Sequence, residues 1–179
     1  PFIDYVIGDP VVMPEDEDDR FTEAVMRLPD TFSSADRHAI AADPGRRADY
    51  GLPDDSVVFC AFNNPLKIEA ATFAAWMEIL KAVPGSVLWL SRPSDTATMD
   101  SLRAAASAAG VDPARLVPAT RVADKTVHLA RHALADLFLD TFRFNASPTA
   151  LDSLWAGLPT LTRRGNNAYS RLCAGYAGA

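Results

Sequence analysis

From Tyr50 onward the chain alternates short apolar runs with segments whose apolar residues recur at helical spacing, and this alternation restricts the fold more than any other feature. Val57-Val58-Phe59-Cys60-Ala61-Phe62 reads as a strand, Glu69 to Val83 as a helix with Phe73, Trp76, Met77 and Leu80 on one face, and Pro84-Gly85 as a turn. Val87-Leu88-Trp89-Leu90 is the next strand, followed by an alanine-rich helix from Thr96 to Ala109 that stops at Gly110. Leu116-Val117 is a short strand, Asp124 to His132 a helix and Ala135 to Leu139 a strand. Thr160-Leu161-Thr162 and a last helix from Ala168 to Tyr176 complete the series. Strands and helices at this spacing imply βαβ units, a parallel sheet and right-handed crossovers, so residues just after each strand share one edge.

The stretch from Asn145 to Pro159 is the most closely specified piece. Ser147 is suited to cap a helix whose first position is Pro148, because that position has no intrahelical use for an N–H. Leu151, Leu154 and Trp155 repeat at helical spacing, and Gly157 with Pro159 stops the helix. A helix N-terminus after a parallel strand offers free N–H groups and positive potential to an anion; a well-capped crossover helix explains the same residues.

Before Tyr50 the chain is less regular. Phe2 to Gly8 reads as a strand that needs neighbours on both sides, Phe21 to Arg27 as a short helix or strand, and Leu28 to Asp49 as mostly loop. Glu15-Asp16-Glu17-Asp18-Asp19 contains a literal Asp-x-Asp, the metal-holding pattern of some sugar-nucleotide enzymes. In an acidic run that match arises by chance, and the run reads as a solvated loop or helix start.

The expected edge collects Asn63, Asn64 and Lys67, then Ser91 and Arg92, then Thr120, Arg121, Lys125 and His128, then Asn145, Ser147 and Thr149, and lastly Arg163, Arg164 and Asn166. Cations and amides converge there in a chain of net charge -6. That distribution suits a small phosphate-bearing ligand, whereas the overall charge argues against a nucleic-acid surface. Lys67 is the most telling, since a cation near the start of its helix opposes the macrodipole by roughly 0.3 to 1 kcal/mol unless an anion lies near. Two cysteines, Cys60 and Cys173, imply reduced thiols and a cytoplasmic setting, and no apolar run suits a membrane span. Cys60 reads as a small buried hydrophobe, and Trp76, Trp89 and Trp155 as core.

Several motifs in order resemble the catalytic region of the protein O-linked N-acetylglucosamine transferases, the SPINDLY-like family. They are Phe62-Asn63-Asn64-Pro65-Leu66-Lys67-Ile68, Ser86 to Leu90, Val122-Ala123-Asp124-Lys125 with His128, Leu139-Asp140-Thr141 with Asn145, Asp152 to Pro159, and Gly165 with Ser170-Arg171. The resemblance implies a GT-B glycosyltransferase of two Rossmann-like domains. Residues 1–45 would be the tail of the first domain and the connection. Residues 46–179 would be the UDP-binding domain, truncated at its C-terminus.

It also implies roles. Lys67 would neutralise the diphosphate and act catalytically, with Asn64 near it in place of a family glutamine. Ala123 would contact uracil through its backbone, Lys125 the ribose, His128 would stack on uracil, and Asp152 would hold the ribose hydroxyls. Ser147-Pro148-Thr149 falls where many members carry His-Thr-Thr over the phosphates, so Pro148 removes one backbone N–H. The implied reaction passes N-acetylglucosamine from UDP-GlcNAc to a protein Ser or Thr hydroxyl with inversion and without a metal or other cofactor. No general base is identifiable in these residues, which places it in a first domain absent here, itself preceded by helical repeats; the fragment would be inactive alone. A UDP-glucose-dependent protein N-glycosyltransferase of the same fold and a noncatalytic sugar-nucleotide-binding module fit the same motifs.

Overall fold

A computed structural model describes residues 2–34 and 37–178. Five strands form one parallel sheet: β3 (Val58–Ala61), β4 (Val87–Ser91), β5 (Leu116–Ala119), β6 (Leu137–Leu139) and β7 (Thr160–Leu161), in spatial order β5-β4-β3-β6-β7. The chain therefore works outward from β3 to one side and then returns to its other side, so the strand order reverses between β3 and β6. In open parallel sheets that reversal leaves a crevice beyond the strand ends.

Side-chain alternation divides the sheet between two cores, as a period of two requires. Val58, Cys60, Trp89 and Phe138 point to one face, where Ala146, Ala150, Leu172 and Tyr176 cover them. Phe59, Ala61, Leu88, Leu90 and Leu139 point to the other, against Phe73, Trp76, Met77 and Leu80 of α1 (Ala70–Ala82) and Met99 and Ala106 of α2 (Thr96–Ala108). Central strands buried on both faces read as continuous apolar runs, which is why they were visible in the sequence.

The remaining helices are α3 (Lys125–Ala130), α4 (Pro148–Trp155) and α5 (Leu172–Ala177). Asp95 caps α2 by accepting from the Thr98 N–H, and Asp124 caps α3 by accepting from the Thr126 and Val127 N–H groups. Gly110 and Gly157 follow α2 and α4 at φ +79°, the left-handed conformation that ends a helix without a Cβ penalty. The expected long last helix is instead a 3-10 turn, Ala168–Ser170, and then α5. The expected helix from Asp124 to His132 likewise gives way to a 3-10 turn at Arg131–Leu134.

Two expectations need correction in detail. Ser147 occupies the N-cap of α4 but its hydroxyl makes no capping bond; it lies 2.8 Å from the Tyr176 hydroxyl on α5. Trp76 and Trp89 are core, whereas Trp155 is half-exposed and donates its indole N–H to the His38 carbonyl.

At the start of the chain, β1 (Tyr5–Gly8) and β2 (Ala24–Arg27) pair in parallel as a separate two-stranded sheet. Among the described residues β1 has a hydrogen-bonded neighbour on one side, β2, and Tyr5 and Ile7 are exposed. Most of the segment from Leu28 to Asp49 is irregular, as its breakers suggest; Ala35 and Asp36 within it lie outside the described residues. The acidic run forms a 3-10 turn, Glu15–Arg20, in which Asp18 pairs with Arg27, and Glu17 with Arg171. Val12 joins the core beside Leu172 and Tyr176, so this segment packs on α5.

Candidate functional site

The crevice at the strand ends is a cleft of about 730 Å³. The loop after β3 supplies Asn64 and Leu66, the end of β4 and the turn after it Ser91 and Arg92, and the loop after β5 Thr120, Arg121 and Ala123. From the helices come Lys125 and His128 of α3, Arg131 just beyond it, and Asp152 of α4. Each arrives for a local reason. Asp124 fixes the first turn of α3, so Lys125 and His128, three apart, share a face; the following 3-10 turn keeps Arg131 in line with them, because i and i+3 eclipse in that geometry.

Lys125 Nζ donates to both oxygens of Asp152, at 2.5 Å from Oδ1, and His128 Nε2 lies 3.8 Å from Asp152 Oδ2. Behind them, the Arg131 guanidinium is 5% exposed and lies over the faces of Phe62 and Trp89, 4.5 and 5.5 Å from their ring centroids. It donates to the Thr120 carbonyl at 2.7 Å and contacts His128 Nδ1 at 2.7 Å. Burial, then the Arg131 charge, push His128 down to about 4, against the opposing pull of Asp152. The imidazole is neutral at pH 7.

Lys67 lines a neighbouring pocket of about 610 Å³ that shares Asn64 and Leu66 with the first and is completed by Arg143, Phe144, Asn167 and Tyr169. Its amine donates to the Asn145 carbonyl at 2.9 Å and sits 4.1 Å from the centre of the Phe144 ring, which stacks on Tyr169. Partial burial lowers the Lys67 pKa, with the Asp140 charge opposing. Ser147, Pro148 and Thr149 line neither pocket, although Asn145 and Ala146 just before them are buried in the loop that Lys67 touches.

Asp140 organises that loop. It is 2% exposed and accepts from the Ala146 N–H at 2.6 Å, the Thr141 N–H at 2.7 Å and the Thr162 hydroxyl at 2.7 Å, with the Asn63 amide at 3.4 Å. One carboxyl thus joins the segments after β3, β6 and β7. Burial raises its pKa despite those donors.

The sequence motifs therefore separate into groups. Asn64, Ala123, Lys125, His128 and Asp152 meet at one cleft; Lys67 borders the adjoining one and shares Asn64 with it. Of the other edge residues, Ser91, Arg92, Thr120 and Arg121 reach the first cleft, whereas Asn63 and Asn145 are buried within the loops, and Arg163 lies over Phe142. Arg131 and Asp140 were not singled out as site residues. Arg131 had a signal, recurrence at i+3 after Lys125 and His128; Asp140 had only its place at the end of a strand. Cys60 is fully buried, and its thiol pKa is pushed far up by burial, as suits a core residue. Among the described residues no three His, Cys, Asp or Glu side chains are grouped to hold a metal ion, and no helix is long and apolar enough to cross a membrane.

Comparison with known proteins bears on the same region. The probable UDP-N-acetylglucosamine-peptide N-acetylglucosaminyltransferase SEC of Arabidopsis thaliana is 37% identical over 167 residues, 90% of this chain and 17% of that protein. The UDP-N-acetylglucosamine-peptide N-acetylglucosaminyltransferase of Caenorhabditis elegans is 43% identical over 116 residues, 65% of this chain and 10% of that protein. The solved structure of a mutant O-GlcNAc transferase from Thermobaculum terrenum superimposes with a TM-score of 0.80 at 29% identity, covering 97% of this chain and 32% of that one. The chain thus has the Rossmann-like parallel sheet of a GT-B half and spans a small share of its relatives' length. The glycosyl transferase family 41 model matches residues 44–177, and the chain belongs to that family.

Proposed function

We propose that this chain supplies most of the UDP-binding half of an inverting transferase that moves N-acetylglucosamine from UDP-GlcNAc to Ser or Thr hydroxyls of proteins. The observation that carries the reading is the convergence of Ala123, Lys125, His128 and Asp152 on one cleft at the sheet's switch point, with Asn64 leading from it to Lys67. A nucleoside in the first cleft has a carboxylate for its ribose hydroxyls and a neutral imidazole for its base. Its diphosphate extends past Asn64 toward Lys67 and the N-terminus of α4.

In this reaction the acceptor oxygen bonds to the anomeric carbon from the face opposite UDP. The bond from that carbon to the diphosphate breaks, its electron pair leaves on UDP, and the acceptor's proton passes to a base in the other half of the GT-B enzyme. Charge grows on the departing diphosphate. Lys67 is already fixed by Asn145, so it meets that charge without reorganising, the arrangement by which preorganised groups stabilise a transition state. Neither a metal nor another cofactor has a step in this scheme. Residues 1–45 belong in this reading to the first domain and connection, the setting is cytoplasmic, and a helical-repeat region presents the protein acceptor.

Calorimetry of the chain with UDP tests the site: saturable binding that Asp152→Ala weakens supports it, and no binding at millimolar UDP overturns it. Mass spectrometry of an acceptor peptide incubated with UDP-GlcNAc and the full-length protein tests the reaction. A noncatalytic sugar-nucleotide module would bind UDP and leave the peptide unmodified.

A further inference from the structure

Arg131 is more deeply buried than any other charged group at the cleft, and a buried guanidinium requires a reason. Among the described residues its Nε has no partner, and its two terminal nitrogens go to the Thr120 carbonyl and to His128 Nδ1. A guanidinium carries only donors, so the nitrogen it touches must present a lone pair. His128 Nδ1 is therefore unprotonated, and the ring proton of the neutral imidazole sits on Nε2, on the side of Asp152 and the cleft. We propose that Arg131 is a positioning residue that locks His128 as a neutral Nε2–H tautomer, turning the imidazole into a permanent hydrogen-bond donor at the cleft and denying it the role of a base.

The surroundings agree. The groups facing the ring are Lys125 and His132 from its own element and its extension, Arg131, and Asp152 from α4; burial weighs on Arg131 in turn. Two of these are cations, so protonating the ring would put a third positive charge among them, opposed by Asp152 alone. His132 is fully buried and bonds through Nδ1 to the His128 and Leu129 carbonyls, so its own proton is on Nδ1, and its Nε2 lone pair has no partner among the described residues. The two rings meet edge to face at 5.0 Å, both neutral, with Phe62 against each. Phe62 and Trp89 hold the guanidinium from its faces, so its direction is set by packing as well as by hydrogen bonds.

This inference concerns the unliganded ring and does not depend on the identity of the nucleotide. Its test is a long-range nitrogen–proton NMR spectrum of the ¹⁵N-imidazole-labelled chain, followed from pH 4 to 8. His128 is expected to show a protonated Nε2 and an unprotonated Nδ1 throughout the range above pH 5. A protonated Nδ1, or a ring that is cationic at pH 6, overturns the proposal on the wild-type chain alone. In Arg131→Gln the amide oxygen can accept from Nδ1–H, so both tautomers should appear and the titration midpoint should rise. Arg131→Lys, which keeps a cationic donor, should restore the Nε2–H form. An Arg131→Gln spectrum with the wild-type tautomer and midpoint would remove Arg131 from the role.

Discussion

Lys125 and Asp152 join α3 to α4 across the mouth of the cleft, the ammonium lying between the two carboxylate oxygens. Neither residue is deeply buried, so the pair contributes only about 0.2 to 1 kcal/mol to folding. A bridge worth so little to the fold, in a cleft with polar groups on several sides, is better placed to meet a ligand. Asp152→Ala should lower UDP affinity about tenfold or more, since charge-assisted hydrogen bonds are worth roughly 1.5 to 3 kcal/mol. The melting temperature should move by only a few degrees. Calorimetry beside a thermal melt decides it: equal losses in both would make the pair a structural tie.

Asp140 should behave in the opposite way. Replacement by alanine leaves the buried N–H groups of Thr141 and Ala146 without their acceptor, at about 1 to 3 kcal/mol each. Asparagine is different, because its oxygen can keep the Thr141 and Ala146 bonds while its amide donates to the Thr162 hydroxyl, which can reverse its role. Burial already favours the neutral carboxyl. Urea denaturation should therefore rank Asp140→Asn near the wild type and Asp140→Ala well below it.

Glu17 and Arg171 tie the Glu15–Arg20 turn to the N-cap of α5, with two hydrogen bonds at 2.8 and 2.6 Å. The hydrogen bond from Arg171 holds the Glu17 carboxyl below its ordinary value of 4.5. A carboxyl with a lowered folded pKa contributes stability that is fully present above the unfolded value and is lost as pH falls through the folded one. Glu17→Gln should destabilise the chain at pH 7 and should flatten its loss of stability below pH 4.5. Melts at pH 7 and pH 3 of both forms measure this; a variant that differs equally from wild type at both would assign the effect to packing.

The sheet was legible because its central strands are apolar throughout and its helices carry one apolar face, patterns that tertiary context did not override. Lys125 and His128 were legible as residues following a strand, and Asp152 through the family resemblance. Their meeting depended on α3 and α4 crossing, and that is a property of packing. The Ser147 hydroxyl was misread because local sequence favours a cap, whereas Tyr176, 29 residues later, offers a partner that no local pattern announces. Trp155 was misread because helical spacing alone does not say where a short helix's apolar stripe runs out. The acidic run is largely solvated, as read, and what a local reading could not weigh is that Glu17 and Asp18 within it pair with Arg171 and Arg27.

Lys67 carries the largest expected effect on turnover. Its amine is half-buried and makes two contacts, with the carbonyl of the buried Asn145 and with the Phe144 ring, neither of which joins strands or helices of the sheet, so its removal leaves the fold intact. At the transition state the loss is larger, because a fixed charge beside the departing diphosphate is worth about 3 kcal/mol, or a factor of 10²–10³ in rate. Burial lowers the Lys67 pKa, so the unfolded chain holds that proton to higher pH; wild-type stability should gain in the alkaline range as pH rises through the lowered value toward 10.5. Lys67→Met should lose that gain. In the full-length enzyme it should cut transfer by at least 10²-fold, with circular dichroism and the neutral-pH melt close to wild type. Wild-type turnover would remove Lys67 from the chemistry while leaving the first cleft's nucleotide contacts untouched, since Lys67 lines only the adjoining pocket.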